Sequence, residues 1–209
     1  MTVPLRGRQA EARRNDDRIV RAAREVLVAD GAGASMAAIA KRAGVGVASL
    51  YARFPSKEEL IRVVAIAGMR SVIGYARAAA DEPDAWKAFD TFMHRCAESG
   101  EGALVGLAGH FAPDEQHLAT VDQLHDALDA LLVRTKENGD LRADLTPADL
   151  CLLLTEPPVR HPVDLGRTPE FRRRHLAIVV AGLRNTGEAL PGPAPAWSDL
   201  RDFWTKPHQ

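Results

Sequence analysis

Between Ser35 and Pro55 the chain has room for only two helices of about two turns each, and the break between them is fixed. Ser35 is a good N-cap, because its side-chain oxygen can accept from a backbone N–H of the first turn. Met36, Ile39, Ala40 and Ala43 then recur at the spacing of one buried helix face. Gly44-Val45-Gly46 interrupts the pattern, and a second short helix is expected from about Val47 to Phe54, stopped by Pro55. Helices this short are not stable alone and must share a core, for which Ile39, Ala40, Val45 and Leu50 have the spacing. Ala43 is small enough to let the two cross closely. This is the layout of a helix-turn-helix, whose second helix lies in the DNA major groove. Its outward residues are Val47, Ala48, Ser49, Tyr51, Ala52 and Arg53.

The flanking sequence is helical as well. Ile19, Ala22, Ala23, Val26 and Leu27 mark one face of a preceding helix, with Asn15 as its expected N-cap and Gly31 as its end. Ser56-Lys57-Glu58-Glu59 reads as a capping box opening a long helix to about Ala80. Beyond it, Trp86, Phe89, Phe92, Met93 and Cys96 form an aromatic face, a short helix is expected near 104–108, and Pro113 opens a long one closed by Asn138-Gly139. Thr146-Pro147 and Thr168-Pro169 each read as an N-cap followed by Pro at the first helical position. They start helices near 147–155 and 169–187, separated by a loop rich in proline (Pro157, Pro158, Pro162). The expectation is an all-α chain of about nine helices without strands. An N-terminal three-helix unit is joined by a long helix to a C-terminal helical domain. The divisions fall at 1–57, 58–190 and a Pro-rich, flexible tail at 191–209, for which local docking by Trp197, Leu200, Phe203 and Trp204 is the alternative.

Charge divides the chain at the same place. Residues 1–57 hold 11 Lys and Arg against 5 Asp and Glu, while residues 58–209 hold 16 against 23. A basic head on an acidic body is the distribution expected where only the head meets a polyanion. No apolar run of membrane-spanning length is seen, and no apolar stretch follows the charged N-terminus, so neither a membrane partner nor export is expected and the location expected is cytoplasmic. Two cysteines, Cys96 and Cys151, are too few for a disulfide framework or a zinc site of their own.

Residues 35–60 strongly resemble the DNA-binding head of TetR-family transcriptional regulators. The matching positions are Ile39-Ala40, Ala43-Gly44-Val45, Leu50-Tyr51, Phe54, and Ser56-Lys57 with Leu60. Including the preceding helix, the likeness spans roughly 14–65; further on only length, helical layout and Asn138-Gly139-Asp140-Leu141-Arg142-Ala143-Asp144 are similar. The resemblance implies that Ser35, Ser49, Tyr51 and Lys57 contact phosphates, a task suited to hydroxyls, a lysine and a helix N-terminus. It implies base reading by Val47 and Ala48, whose methyl groups suit thymine. Arg53 is open between guanine and phosphate. The alternatives on the residues themselves are a core tyrosine at 51 and an ordinary surface lysine at 57. The sequence departs from the family pattern at Gly46, where a Ser or Thr cap is usual, and at Arg53, where His is common.

The same resemblance implies a C-terminal domain that forms a homodimer and holds a small-molecule effector, no cofactor, and a double-stranded operator as partner. The candidate pocket residues are Trp86, Phe89, Phe92, Met93, Cys96, Phe111, Leu124 and Leu128, for which plain core packing is the alternative. The candidate dimer residues are Leu150, Leu153, Leu176, Val179, Val180 and Leu183, with monomer core as the alternative. His94 and Cys96 fall on different helix faces, and His117 and His125 lack a carboxylate at ligand spacing, so no metal site is expected. The sequence has no nucleophile elbow, P-loop, dinucleotide-binding glycine pattern or H-E-x-x-H, so an enzyme is not expected. The resulting expectation is a ligand-responsive homodimeric repressor of a palindromic operator. The alternative is a helical effector-binding or protein-interaction module without specific DNA binding.

Overall fold

The computed structural model describes residues 5–155 and 168–205, which form ten α-helices and no strand. The loop expected around Pro157, Pro158 and Pro162 lies outside the described residues. The first helix, α1 (Leu5–Asp30), begins well upstream of the expected cap at Asn15. Residues 5–14 are mostly good helix formers, so the helix runs through Asn15, whose side chain accepts from Arg18 Nη2 at 2.7 Å. Gly31, at φ +64°, ends it as expected.

The head continues with α2 (Met36–Ala43) and α3 (Val47–Arg53), and α4 (Lys57–Ala78) leads out of it. Ser35 caps α2 by accepting from the Ala38 N–H at 3.1 Å, and Ser56 caps α4 by accepting from the Glu59 N–H at 3.1 Å. Only half of the capping box forms at α4, because the Glu59 carboxylate accepts from Arg62 at 2.7 Å. Ile19, Ala23 and Leu27 of α1, Ile39 of α2, Leu50 of α3 and Leu60 of α4 close the small core of the head.

The body comprises α5 (Ala85–Ser99), α6 (Glu101–Val105), α7 (Glu115–Glu137), α8 (Pro147–Thr155), α9 (Thr168–Gly182) and α10 (Trp197–Thr205). Its centre is α4, which packs against α7 and α6 and also touches α1 and α5. By length and composition α4 could cross a membrane, which corrects the expectation of no such stretch; here it is the core helix, with ten buried residues. The buried apolar residues of head and body form one continuous cluster.

One ion pair ties the head to the body besides α4, and one glycine seats α4 against α6. Arg24 of α1 forms an ion pair with Glu101, whose side chain is 3% exposed, at the start of α6. Glu101 Oε2 is buried without a hydrogen-bond partner. Gly68 of α4 faces α6 so closely that an added Cβ would stand 2.7 Å from Leu104 Cβ, so only glycine fits without a shift.

Within the body, the Asn138-to-Asp144 stretch anchors the end of α9. The backbone N–H of Arg142 donates to the Leu183 carbonyl at 3.1 Å, and its buried guanidinium grips Asp144 at 2.6 and 3.1 Å and the Glu188 carbonyl at 2.9 Å. That grip holds the Asp144 carboxyl well below the usual range, at about 2. The tail expected to be flexible carries α10, with Leu200 and Trp204 buried, packed against α7, α8 and the turn at 106–110. Its amphipathic spacing outweighs its proline-rich surroundings, and the Trp197 ring lies tilted against His125 with ring centroids 4.9 Å apart.

Candidate nucleic-acid interface

The turn between α2 and α3 is fixed by backbone geometry. Gly44 sits in the left-handed region at φ +65°, and its N–H donates to the Lys41 carbonyl at 3.2 Å. The Val45 N–H donates to the Ala40 carbonyl at 3.0 Å, completing a Schellman motif. A side chain at residue 44 would be strained there, whatever its chemistry. Gly46 offers no side-chain cap to α3. The start of α3 therefore keeps backbone N–H groups without an intrahelical partner, as any helix does, next to the exposed Ser49.

The two faces of α3 separate cleanly. Leu50 is fully buried and Phe54 nearly so, both directed to the core of the head. Val47 and Tyr51, one turn apart, are 42% and 46% exposed, and Ala48, Ser49, Ala52 and Arg53 are exposed with them. The reading of Tyr51 as a core tyrosine is thereby removed. Ser35 is exposed at the N-terminus of α2, and Lys57 is half-buried in the first turn of α4. All seven residues singled out for DNA contact lie in the segment that runs from the N-cap of α2 through the first residue of α4.

Arg53 carries a contact that the sequence did not disclose. Its Nε donates to Asp16 Oδ1 at 2.5 Å and its Nη2 to Asp16 Oδ2 at 2.7 Å, joining the end of α3 to α1. These hydrogen bonds and the Asp16 charge raise the guanidinium further above its ordinary value. On α4, backbone N–H and the Ser56 hydroxyl hold the Glu58 carboxyl below its usual value.

In the body the candidate pocket residues join the core. Phe89, Phe92, Met93, Cys96, Phe111, Leu124 and Leu128 are all buried, and burial pushes the Cys96 thiol up to about 12. Trp86 is half-buried, with the Arg184 guanidinium 3.9 Å from its ring centroid. Among the described residues no three His, Cys, Asp or Glu side chains are grouped to hold a metal. His117 is fully buried with neither ring nitrogen hydrogen-bonded, its ring edge-on to Phe111 at 4.8 Å.

The candidate dimer residues divide. Leu150, Leu176, Val180 and Leu183 are buried within the protomer, as the monomer-core alternative has them, whereas Leu153 is 40% exposed and Val179 half-buried. Ile178 on α9, which sequence reasoning did not single out, is 63% exposed, and Leu152 on α8 is 43% exposed. Both helices are apolar on more than one face, so composition alone does not say which face looks out.

Comparison with known proteins accords with this geometry. Residues 19–64 match the family model of bacterial regulatory proteins of the tetR family, and residues 83–185 match that of the C-terminal domain of SbtR-like transcriptional regulators. A TetR transcription regulatory protein from Mycobacterium vanbaalenii is similar in structure, with 26% identity and a TM-score of 0.55, over 87% of this chain and 99% of that one. A TetR regulator from Streptomyces coelicolor shares the fold at 23% identity and a TM-score of 0.54, over 81% and 98%. So does the ketosteroid transcriptional regulator KstR2 of Mycobacterium tuberculosis, at 19% identity and 0.56, over 82% and 95%. No curated protein sequence matches. With a helix-turn-helix head and a helical body each matched in their own segments, the chain belongs to the TetR family of DNA-binding transcriptional regulators.

Proposed function

We propose that the chain is a cytoplasmic, effector-responsive repressor that binds a palindromic operator as a homodimer. The observation that carries the reading is the two-faced α3: Leu50 and Phe54 hold it to the head while Val47, Ala48, Ser49 and Tyr51 stand exposed on it. Small methyl-bearing residues at the start of a groove helix suit thymine contacts. Ser35, Ser49, Tyr51 and Lys57 are the phosphate contacts of this reading, which fix register without carrying sequence information.

One such helix reads few base pairs, so a two-fold dimer is required for a specific site. The exposed apolar residues Leu152, Leu153 and Ile178 support a face on α8 and α9 for the second copy. The effector site of this reading lies in the body around α5 and α7, and its aromatic lining favours an apolar molecule of moderate size. Effector binding favours a dimer whose two α3 helices no longer match the ~34–36 Å spacing of successive major grooves. The lever is α4, which belongs to both head and body.

Selection of the purified protein against a random duplex pool tests the reading. Enrichment of a palindrome with separated half-sites is the expected result. A protein that enriches nothing at low salt, and whose residual binding lacks the steep salt dependence of phosphate contacts, is not a specific DNA binder and refutes it.

A further inference from the structure

We propose that Asp16 of α1 is a positioning residue of the DNA-binding surface, holding Arg53 so that its outer edge reads a guanine. The inference rests on α3 being the groove helix. A guanidinium has two hydrogen-bonding edges, a side edge of Nε and one Nη, and an end edge of both Nη groups. Asp16 occupies the side edge at 2.5 and 2.7 Å. The end edge remains, with both hydrogens of Nη1 and one of Nη2, on a side chain that is 58% exposed. Asp16 itself is only 22% exposed, so it acts as a support from behind. The neighbouring Phe54 ring, nearly buried, lies 5.8 Å from the guanidinium carbon and limits the remaining freedom of the group.

Two parallel N–H donors match the O6 and N7 acceptors of guanine in the major groove, and they match a phosphate equally well in shape. Charge separates the two targets. With a carboxylate against it the Arg53 guanidinium belongs to a pair of zero net charge, so its attraction for an anion is largely cancelled while its directed donors remain. A neutral acceptor pair loses little by this, and a phosphate loses much, because Asp16 also repels it. Holding the long side chain in place beforehand lowers the entropy cost of the contact. Arg53 lies six residues beyond Val47, about 9 Å along the helix axis, so the two side chains meet different base pairs. The guanine therefore falls to one side of the pairs met by Val47 and Ala48.

The experiment is selection from the random duplex pool with the wild type, Arg53→Ala, Asp16→Asn, Asp16→Ala and the Asp16→Ala/Arg53→Ala double variant. Thermal unfolding of each confirms that the head is folded, and Asp16→Asn preserves the shape of the support if Asp16→Ala does not fold. The wild type is expected to prefer guanine by tenfold or more at one flanking position of each half-site, a discrimination of the size a bidentate contact gives. Arg53→Ala should erase that preference, and each Asp16 variant should erode it several-fold with the other positions intact. The double variant should show no further loss beyond Arg53→Ala alone, since Asp16 acts only through Arg53. If the Asp16 variants bind all duplexes more tightly with unchanged preference, Asp16 merely screens a phosphate contact and the proposal is overturned. Losses that add in the double variant also overturn it. A wild type that enriches no sequence removes the groove-helix reading itself, whereas a palindrome without an Arg53-dependent guanine removes this inference alone.

Discussion

Of the seven residues of α3 only Leu50 is buried, whereas α5 buries six of fifteen, among them Phe89 and Phe92 with no exposed surface. Helix α3 is thus held mainly by its ends. The Schellman turn at Gly44 fixes its start, Phe54 and Pro55 its finish, and Asp16 ties its last residue to α1. By contrast, α5 is held along its length by apolar burial. Exposed residues of α3 are therefore open to change at little cost to folding, and core residues of α5 are not. The largest effect follows directly. Phe89→Ala should destabilise the protein by about 3–5 kcal/mol, whereas Tyr51→Ala should change stability by less than about 0.5 kcal/mol while weakening DNA binding. Chemical denaturation of the two variants checks this, and comparable destabilisation by both means that Tyr51 supports the fold as Phe89 does.

The joint between the regions tests how far the division extends. Glu101 is buried at the base of the body, and Arg24, at 36% side-chain exposure, reaches it from the head. Arg24→Ala leaves a buried carboxylate without its counter-charge and should cost about 3 kcal/mol, at the low end for breaking a buried pair because part of the arginine is already hydrated. Glu101→Gln keeps the shape and removes the stranded charge, so its cost should be smaller. Equal costs in denaturant melts show that the pair acts through packing and not through charge.

Acid provides a gentler probe confined to the body. Burial lowers the pKa of His117, with Arg62 adding to the effect and Asp114 opposing it, so the ring stays neutral in the folded protein below the pH at which it charges in the unfolded chain. The unfolded state then binds the extra proton. Stability should fall as pH drops below about 6.5, by up to about 1.4 kcal/mol per pH unit, until the folded pKa is reached. His117→Gln cannot titrate and should lose this slope. A slope retained by the variant assigns the acid sensitivity to other groups.

What was legible in the sequence follows the same division. The motif from Ser35 to Leu60 was readable because its signals are local: a cap, a glycine that must adopt positive φ, and a proline. The tie between Arg53 and Asp16 spans 37 positions and left no such signal. The cap at Asn15 was a real local preference overridden by helix-forming residues before it. On α8 and α9 apolar residues surround the helix, so periodicity could not tell core from outer face, and the buried Leu150 and Leu176 were named together with the exposed Leu153. In the tail the apolar residues Trp197, Leu200 and Trp204 were legible as a docking patch, but the prolines around them hid that they form a helix.

Lys57 gives the smallest stability effect and the sharpest distinction between folding and binding. It sits in the first turn of α4, where the helix dipole disfavours a cation, and the neighbouring Glu58 and Glu59 supply the acidic groups that favour such an end. Nothing in the local helix energetics calls for a lysine there. Lys57→Ala should therefore leave stability within about 0.5 kcal/mol of the wild type. If the ammonium meets a phosphate, its removal should weaken binding to all duplexes about equally and reduce the salt slope by about one for each phosphate no longer neutralised. Titrations at several salt concentrations against a preferred and a random duplex measure both quantities. Weakening on the preferred duplex alone makes Lys57 a base reader, and an unchanged slope returns it to the ordinary surface.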